Sequence, residues 1–273
     1  MINLICDGQM TLGEFLAART RLGHFKIKKT IAGGEVKVNG SRVRSDVLLA
    51  AGDAVTVYAK EPPPPYEIVY RDDNVLFVSK PRGMEVEGER SLESQLMKDG
   101  IKARAVNRLD RNTSGIVCFA LNEKSRAELE KCFRDRLVTK KYRALVVGVP
   151  EPPHAVLRAF LFKDAKKSRV YISDVRKTGY VPIETEYFVT DKHDGFCGVE
   201  IILHTGRTHQ IRAHMAHIGH PVVGDGKYSS AAVNRRFGRD TQALAAVEYR
   251  FHLPPDSFLG YLNSAVIKID APF

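Results

Sequence analysis

Three short stretches gather residue types that do chemistry. Asn107-Arg-Leu-Asp-Arg-Asn-Thr-Ser-Gly115 sets one carboxylate, Asp110, between Arg108 and Arg111, and the apolar run Ile116-Val-Cys-Phe-Ala-Leu121 follows at once. Flanking opposite charges favour the ionised carboxylate. A turn of Asn, Thr, Ser and Gly before a buried strand would present that carboxylate at a sheet edge. The same residues also fit an ordinary charged turn, because structural ion pairs hold carboxylates in the same way. Lys140-Lys-Tyr-Arg-Ala-Leu-Val-Val-Gly148 alternates along a strand, with Tyr142 on the face of Ala144 and Val146. A buried tyrosine packs by its ring and needs a partner for its hydroxyl, so by pattern Tyr142 reads as core. His204-Thr-Gly-Arg-Thr-His-Gln-Ile-Arg-Ala-His-Met-Ala-His-Ile-Gly-His-Pro221 holds five of the nine histidines. His214 and His217 lie three apart on a helix, which raises a metal site. No cysteine or carboxylate partner lies near in sequence, and His-Glu-x-x-His is absent. A polar, cationic surface is the better reading, with Thr208 as helix cap and Arg207 and Arg212 as forked donors for a carboxylate or phosphate.

The elements that must position these residues divide at Lys60-Glu-Pro-Pro-Pro-Pro-Tyr66. Four consecutive prolines continue neither a helix nor a central strand and stiffen the chain as a spacer. Residues 1–60 then form a small domain, 61–66 a linker and 67–273 a larger domain. In the first, Leu12, Phe15 and Leu16 recur at helical spacing behind a Thr11 cap, and Ile27 and Ile31 mark a second short helix flanked by Lys26, Lys28 and Lys29. Glu35-Val-Lys-Val-Asn-Gly40 alternates, closes on Asn39-Gly40 and continues to Val43, a hairpin. These sixty residues carry nine Lys and Arg against five Asp and Glu, which fits a basic RNA-binding module or a small α/β domain with a solvated basic face. The larger domain reads as strands over 67–70, 75–79, 115–121, 141–149, 155–162, 184–189 and 199–204, with helices over 122–133 and 209–218. Several strands follow one another without a helix between them. That predicts an α+β domain with a mixed, largely antiparallel sheet and argues against a doubly wound parallel one.

The whole chain of 273 residues, with 44% hydrophobic and 27% charged residues, has the composition of an ordinary globular protein. Its formal net charge of +10 points to a polyanionic partner, most often nucleic acid. Cys6, Cys118, Cys132 and Cys197 form no Cys-x-x-Cys pair and read as free thiols of a cytoplasmic protein. No basic flank precedes an apolar run at the N-terminus, and no apolar stretch reaches the ~18 residues that span a bilayer.

At this point the chain resembles a known family. Residues 107–115 are similar to the His-Arg-Leu-Asp-x-x-Thr-Ser-Gly motif of the RluA family of RNA pseudouridine synthases. Lys140-Lys-Tyr-Arg-Ala resembles its second motif, and Thr205-Gly-Arg-Thr-His-Gln-Ile-Arg-Ala-His214 with Gly219-His-Pro-Val-Val-Gly-Asp225 its third. Lys80-Pro-Arg-Gly83 resembles the entry to the catalytic domain, and Gln242-Ala-Leu244 and Gly260-Tyr-Leu-Asn263 its C-terminal signature. Ile27 to Gly40 resembles the S-four type of RNA-binding domain. The resemblance implies a pseudouridine synthase fold and isomerisation of uridine in RNA, most naturally large-subunit ribosomal RNA, without metal or cofactor; the spread of basic residues points to a monomer. It implies that Asp110 attacks the bound uridine, that Tyr142 lies against the target base and that Arg212 pairs with Asp110. Arg108 would fill the space the flipped nucleotide leaves. Arg111, Arg207 and His209, and in the small domain Lys26, Lys28, Lys29, Lys37 and Asn39, would contact RNA. Asn107 stands where the family usually has His, and Glu85-Val-Glu-Gly88 replaces the usual Val-His-Pro. Three other activities remain at this stage: a non-catalytic ribosome-assembly factor on the same scaffold, a synthase acting on transfer RNA, and a metal-dependent enzyme using the histidine-rich segment.

Overall fold

The computed structural model describes residues 1–60, 62 and 65–273. Residues 61, 63 and 64, within the linker expected over 61–66, lie outside the described residues. The chain divides into two compact units, Met1–Pro65 with Ser94–Lys102, and Tyr66–Glu93 with Ala103–Phe273.

The first unit contains β1 (Ile2–Ile5), β2 (Met10–Thr11), α1 (Leu12–Arg19), α2 (His24–Ala32), β3 (Val36–Val38), β4 (Ser41–Val43), β5 (Leu48–Leu49) and β6 (Ala54–Val57). Thr11 and Glu14 cap α1 reciprocally: the Thr11 hydroxyl accepts from the Glu14 N–H, and the Glu14 carboxylate accepts from the Thr11 N–H. The order β1-β6-β3-β4 makes an antiparallel sheet. Asn39 and Gly40 both have positive φ, 50° and 81°, the two-residue turn whose twist matches its strands. Phe15, Leu16, Ile27 and Ile31 pack with Val36 and Val57 into one apolar core.

The second unit contains β7 (Glu67–Arg71), β8 (Val75–Lys80), α3 (Leu92–Lys98, whose residues fall partly in each unit), β9 (Arg104–Ala105), β10 (Ser114–Ala120), α4 (Glu123–Arg134), β11 (Val138–Val147), β12 (His154–Asp164), β13 (Arg169–Ser173), β14 (Val181–His193), β15 (Phe196–Leu203), α5 (Gln210–His217), α6 (Ala231–Arg236), β16 (Leu244–Phe251) and β17 (Ile267–Lys268). Its sheet runs β13-β12-β14-β15-β11-β16-β10-β8-β7, with β9 added to β10 and β17 to β16. This is the mixed, largely antiparallel sheet expected. Every residue of β10 is buried, as a near-continuous apolar strand covered on both faces must be. β11 alternates instead, burying Tyr142, Ala144 and Val146 on one face. Asn122 caps α4 through its side-chain oxygen, which accepts from the Ser125 N–H. No helix among the described residues is long and apolar enough to cross a membrane.

Two details differ from expectation or go beyond it. Thr208 does not cap α5. The N-cap is His209, in the left-handed region at φ 54° and without a side-chain cap bond. The preceding turn is held by Gln210, whose side-chain oxygen accepts from the Arg207 N–H and the Thr205 hydroxyl while its amide donates to the Glu184 carbonyl and the Thr185 hydroxyl. The second detail is the parallel pair β10–β16, where Gly115 faces Ala246. Gly115 has φ 111°, and a Cβ there would lie 2.2 Å from the Ala246 carbonyl oxygen.

A methyl group at Gly115 would meet backbone, which cannot step aside as a side chain can. Gly115→Ala is expected to lower the unfolding free energy by roughly 2–4 kcal/mol, read from the urea midpoint. The buried His214 imidazole carries a pH signature. Burial, with His217 nearby, pushes its pKa down to about 4, and its Nδ1 meets the Thr185 hydroxyl at 3.0 Å. As pH falls from the ordinary value of 6.5 towards 4, the unfolded chain takes up a proton that the folded chain refuses, so stability is lost across that window. Replacing His214 by Gln should remove roughly 2 kcal/mol of the stability lost between neutral pH and about pH 4.5. Urea titrations of both proteins at the two pH values check this.

Candidate active site

A cavity of about 1010 Å³ opens in the second unit. The loop between β9 and β10, the face of β11 around Tyr142, the start of α5 and the residues leading into β16 line it. Asp110 stands in the loop with 23% of its side chain exposed. Several bonds hold that loop in place. Asn107 donates from its amide to the Tyr249 hydroxyl at 2.7 Å and accepts from the Cys118 N–H at 2.8 Å. Gln242 donates to the Thr113 hydroxyl at 2.5 Å. The Lys80 ammonium, 1% exposed, donates to the carbonyls of Pro81, Met84 and Arg111 at 2.8–3.0 Å. Burial pulls the Lys80 pKa down to about 8, partly opposed by Glu85 and Asp110.

The partner of Asp110 is not either arginine beside it in sequence. Arg108 is exposed, with Nη1 3.7 Å from a Glu87 carboxylate oxygen, and Arg111 donates from Nε to the Gly83 carbonyl. Arg212, on α5, donates from Nη1 to Asp110 Oδ2 at 2.8 Å. The rest of the guanidinium is engaged by Asp225: Nε to Oδ2 at 2.6 Å and Nη2 to Oδ1 at 3.0 Å. Burial works against the Arg212 charge, and the Asp225 bonds more than offset it, so its pKa lies above the ordinary value. Asp225 is fully buried. Burial opposes its charge too, but Arg212 and the N–H groups of Lys227 and Tyr228 hold it below the usual carboxylate range. A two-pronged pair fixes the guanidinium plane as a single contact would not, so the third edge is aimed at Asp110.

Tyr142 lies on the same cavity wall, 6% exposed. Burial, with Asp110 next, pushes its pKa up. Its hydroxyl, expected to need a buried partner, makes no hydrogen bond among the described residues. His209 Nδ1 meets the Tyr228 hydroxyl at 2.8 Å, and its Nε2 lies 3.9 Å from Asp110. Burial lowers the His209 pKa, with Asp110 opposing and Arg212 adding to the shift.

The cavity therefore brings together Asp110, Tyr142, Arg212, Arg108, Arg111, Arg207 and His209. Lys26, Lys28, Lys29, Lys37 and Asn39 belong to the first unit. The three α2 lysines are exposed. Asn39, by contrast, is committed to its turn, accepting from the Ala54 N–H and donating to Asp53. The five clustered histidines disperse to separate partners: Glu186, Tyr228, Thr185, Asp174 and the Val147 carbonyl. Among the described residues no group of three or more His, Cys, Asp or Glu is placed to hold a metal ion. Sequence reasoning missed Asp225, Lys80 and Gln210 as parts of the site. Each stood inside a quoted motif, but a lone carboxylate, lysine or glutamine carries no spacing signal of its role.

The chain has known relatives. Residues 74–217 match the RNA pseudouridylate synthase family. The chain is 33% identical over 264 residues to a ribosomal large subunit pseudouridine synthase C of Vibrio cholerae, covering 88% of this chain and 81% of that one. It is 33% identical over 225 residues to an uncharacterized RNA pseudouridine synthase of Bacillus subtilis, covering 74% and 73%. Human RNA pseudouridylate synthase domain containing 1 superposes with a TM-score of 0.63 at 28% identity, over 78% of this chain and 86% of that one. With these likenesses running through the cavity loops and most of the chain, the protein belongs to the RNA pseudouridylate synthase family, isomerases that convert uridine to pseudouridine in RNA.

Proposed function

We propose that this chain converts a uridine of large-subunit ribosomal RNA to pseudouridine, with Asp110 as nucleophile. The observation that carries the reading is the fork by which Asp225 fixes Arg212, and Arg212 in turn Asp110, beside the unpartnered Tyr142 hydroxyl. The ribosomal assignment rests on likeness to the Vibrio cholerae ribosomal large subunit synthase, and a cytoplasmic location goes with such a substrate.

The target base must leave its stack, at a cost of a few kcal/mol. Arg108, exposed at the cavity, takes the space left behind; its exposure there supports this role. Asp110 attacks C1′ of the bound uridine, and the N1–C1′ glycosidic bond breaks with its electron pair left on the uracil. The uracil turns within the cavity to present C5, and the C5–C1′ bond forms as the Asp110–C1′ bond breaks and the carboxylate is released. C5 then loses its proton and N1 gains one, so product and substrate are isomers and no electrons are exchanged. Tyr142 lies against the base and takes part in that proton transfer; its place on the cavity wall supports the role. Arg212 orients the carboxylate before attack and after its release, and a fixed charge in a half-buried cleft needs little reorganisation as the reaction proceeds. Residues 1–60 serve as an S-four type RNA-binding domain acting through the α2 lysines, and the protein works as a monomer.

Asp110→Asn should abolish pseudouridine formation while leaving RNA affinity within a few-fold of wild type. Carbodiimide mapping of ribosomal and transfer RNA from cells lacking the protein, complemented with either form, reads the first, and filter binding reads the second. Comparable loss of both would defeat the nucleophile assignment. A restored pseudouridine in transfer RNA alone would move the substrate, and none at all would favour an assembly role. Replacing Lys28 and Lys29 by Gln should lower the slope of log affinity against log salt by about 0.7–0.9 for each phosphate contact removed. An unchanged slope would remove the RNA-binding assignment from α2.

A further inference from the structure

A second cavity of about 550 Å³ adjoins the first, within the size range of small-ligand sites. Asp110 and Tyr142 do not line it. The two cavities share a wall made by Phe133, Arg134, Lys140, Leu203, Gly206 and Arg207. Lys140 is the unusual member. Its ammonium is half-buried and lies 5.6 Å from the Phe133 ring centroid, yet it has no hydrogen bond or ion pair among the described residues. Burial lowers its pKa with no carboxylate opposing. Its chain neighbour Lys141 is paired with Glu248 and Glu200. Charges withdrawn from water are ordinarily paired, because an unpaired one is costly. The surroundings add further cations: Arg207 is exposed on the shared wall, and exposed Arg136 lines the second cavity alone. The carboxylate on that lining, Glu184, is taken by Arg158 at 3.0 Å. The Lys140 ammonium thus stands without an anionic partner among the described residues, at the junction of two cavities.

We propose that the second cavity seats the nucleotide adjoining the target uridine, and that Lys140 on the shared wall binds the phosphodiester joining the two. The proposal rests on the first cavity being the seat of the target. Its logic is geometric. Two adjacent nucleotides are linked by one phosphate, and the two cavities are divided by one wall carrying one uncompensated ammonium. The Phe133 ring backs the Lys140 ammonium, Arg136 meets the next phosphate, and the enzyme holds two nucleotides of an unpaired strand.

The test uses the full chain and a fluorescein-labelled twelve-residue oligouridylate titrated at several salt concentrations. Lys140→Met is expected to weaken binding about tenfold and lower the salt slope by about 0.7, the value for one phosphate contact on a single strand. Lys140→Arg should restore most of both. Arg136→Gly, which keeps a residue suited to the local φ of 61°, should also lower the slope. Lys166→Ser, an exposed cation outside both cavities, should change neither quantity. Unchanged affinity and slope in Lys140→Met would overturn the phosphate assignment and leave Lys140 a structural side chain whose removal shows only in the melting temperature. Loss with Lys140→Met but none with Arg136→Gly would overturn the second seat. Pseudouridine mapping of ribosomal RNA by the wild-type protein is read separately. Binding losses as expected without any pseudouridine would sink the catalytic reading while the subsite stands.

Discussion

One guanidinium shared between two carboxylates governs the cleft. Asp225 takes two nitrogens of Arg212 in a buried, two-pronged pair, and Asp110 takes the third. Removing one partner of such a pair typically costs 3–5 kcal/mol, because the survivor is left charged and dry. The deeper carboxylate therefore serves the shallower one. Asp225, fully buried and braced by backbone N–H groups, fixes the arginine whether or not Asp110 is occupied. The less buried carboxylate can then leave its partner without stranding it.

The sheet is arranged so that this contact can form. Asp110 precedes β10, Arg212 lies on α5, Tyr142 on β11, and the residues entering β16 close the floor. β16 lies between β10 and β11, parallel to the first and antiparallel to the second. That placement lets a loop at position 110 meet a helix at position 212. It requires a glycine at 115, where the two backbones approach most closely. The aromatic packing of Phe77 against Tyr249 and Phe251 fills the core beneath.

What could be read from sequence was local. Thr11 announced its helix because a cap acts three residues away, and Asn39-Gly40 announced its hairpin because a turn is closed by its own residues. Asp110, Tyr142 and Arg212 were legible only through family resemblance. The physical argument made Arg108 and Arg111 the charge partners of Asp110, whereas the fold supplies Arg212 from 102 residues away. Asp225 lies 13 residues from Arg212 and Lys80 31 from Arg111, and a lone charged side chain at such a separation carries no local signal of its partner. β16 gave a weak signal because Leu-Ala-Ala-Val is alanine-rich and alanine is depleted in strands; its identity comes from its neighbours in the sheet. Thr208 fits the cap pattern, but Gln210 holds the turn from inside the helix and displaces it.

The loop that carries Asp110 is tied to β10 and β16 through Asn107, to Gln242 through Thr113 and to the segment after β8 through a lysine that gathers three carbonyls. A loop fastened at both ends and in the middle does not behave as a lid. In the encounter the protein is therefore the stiff body and the RNA the compliant one: the strand must unstack, turn out its base and bend to the enzyme's shape. Discrimination among uridines then follows how readily each stretch of RNA deforms, as much as which bases it contains.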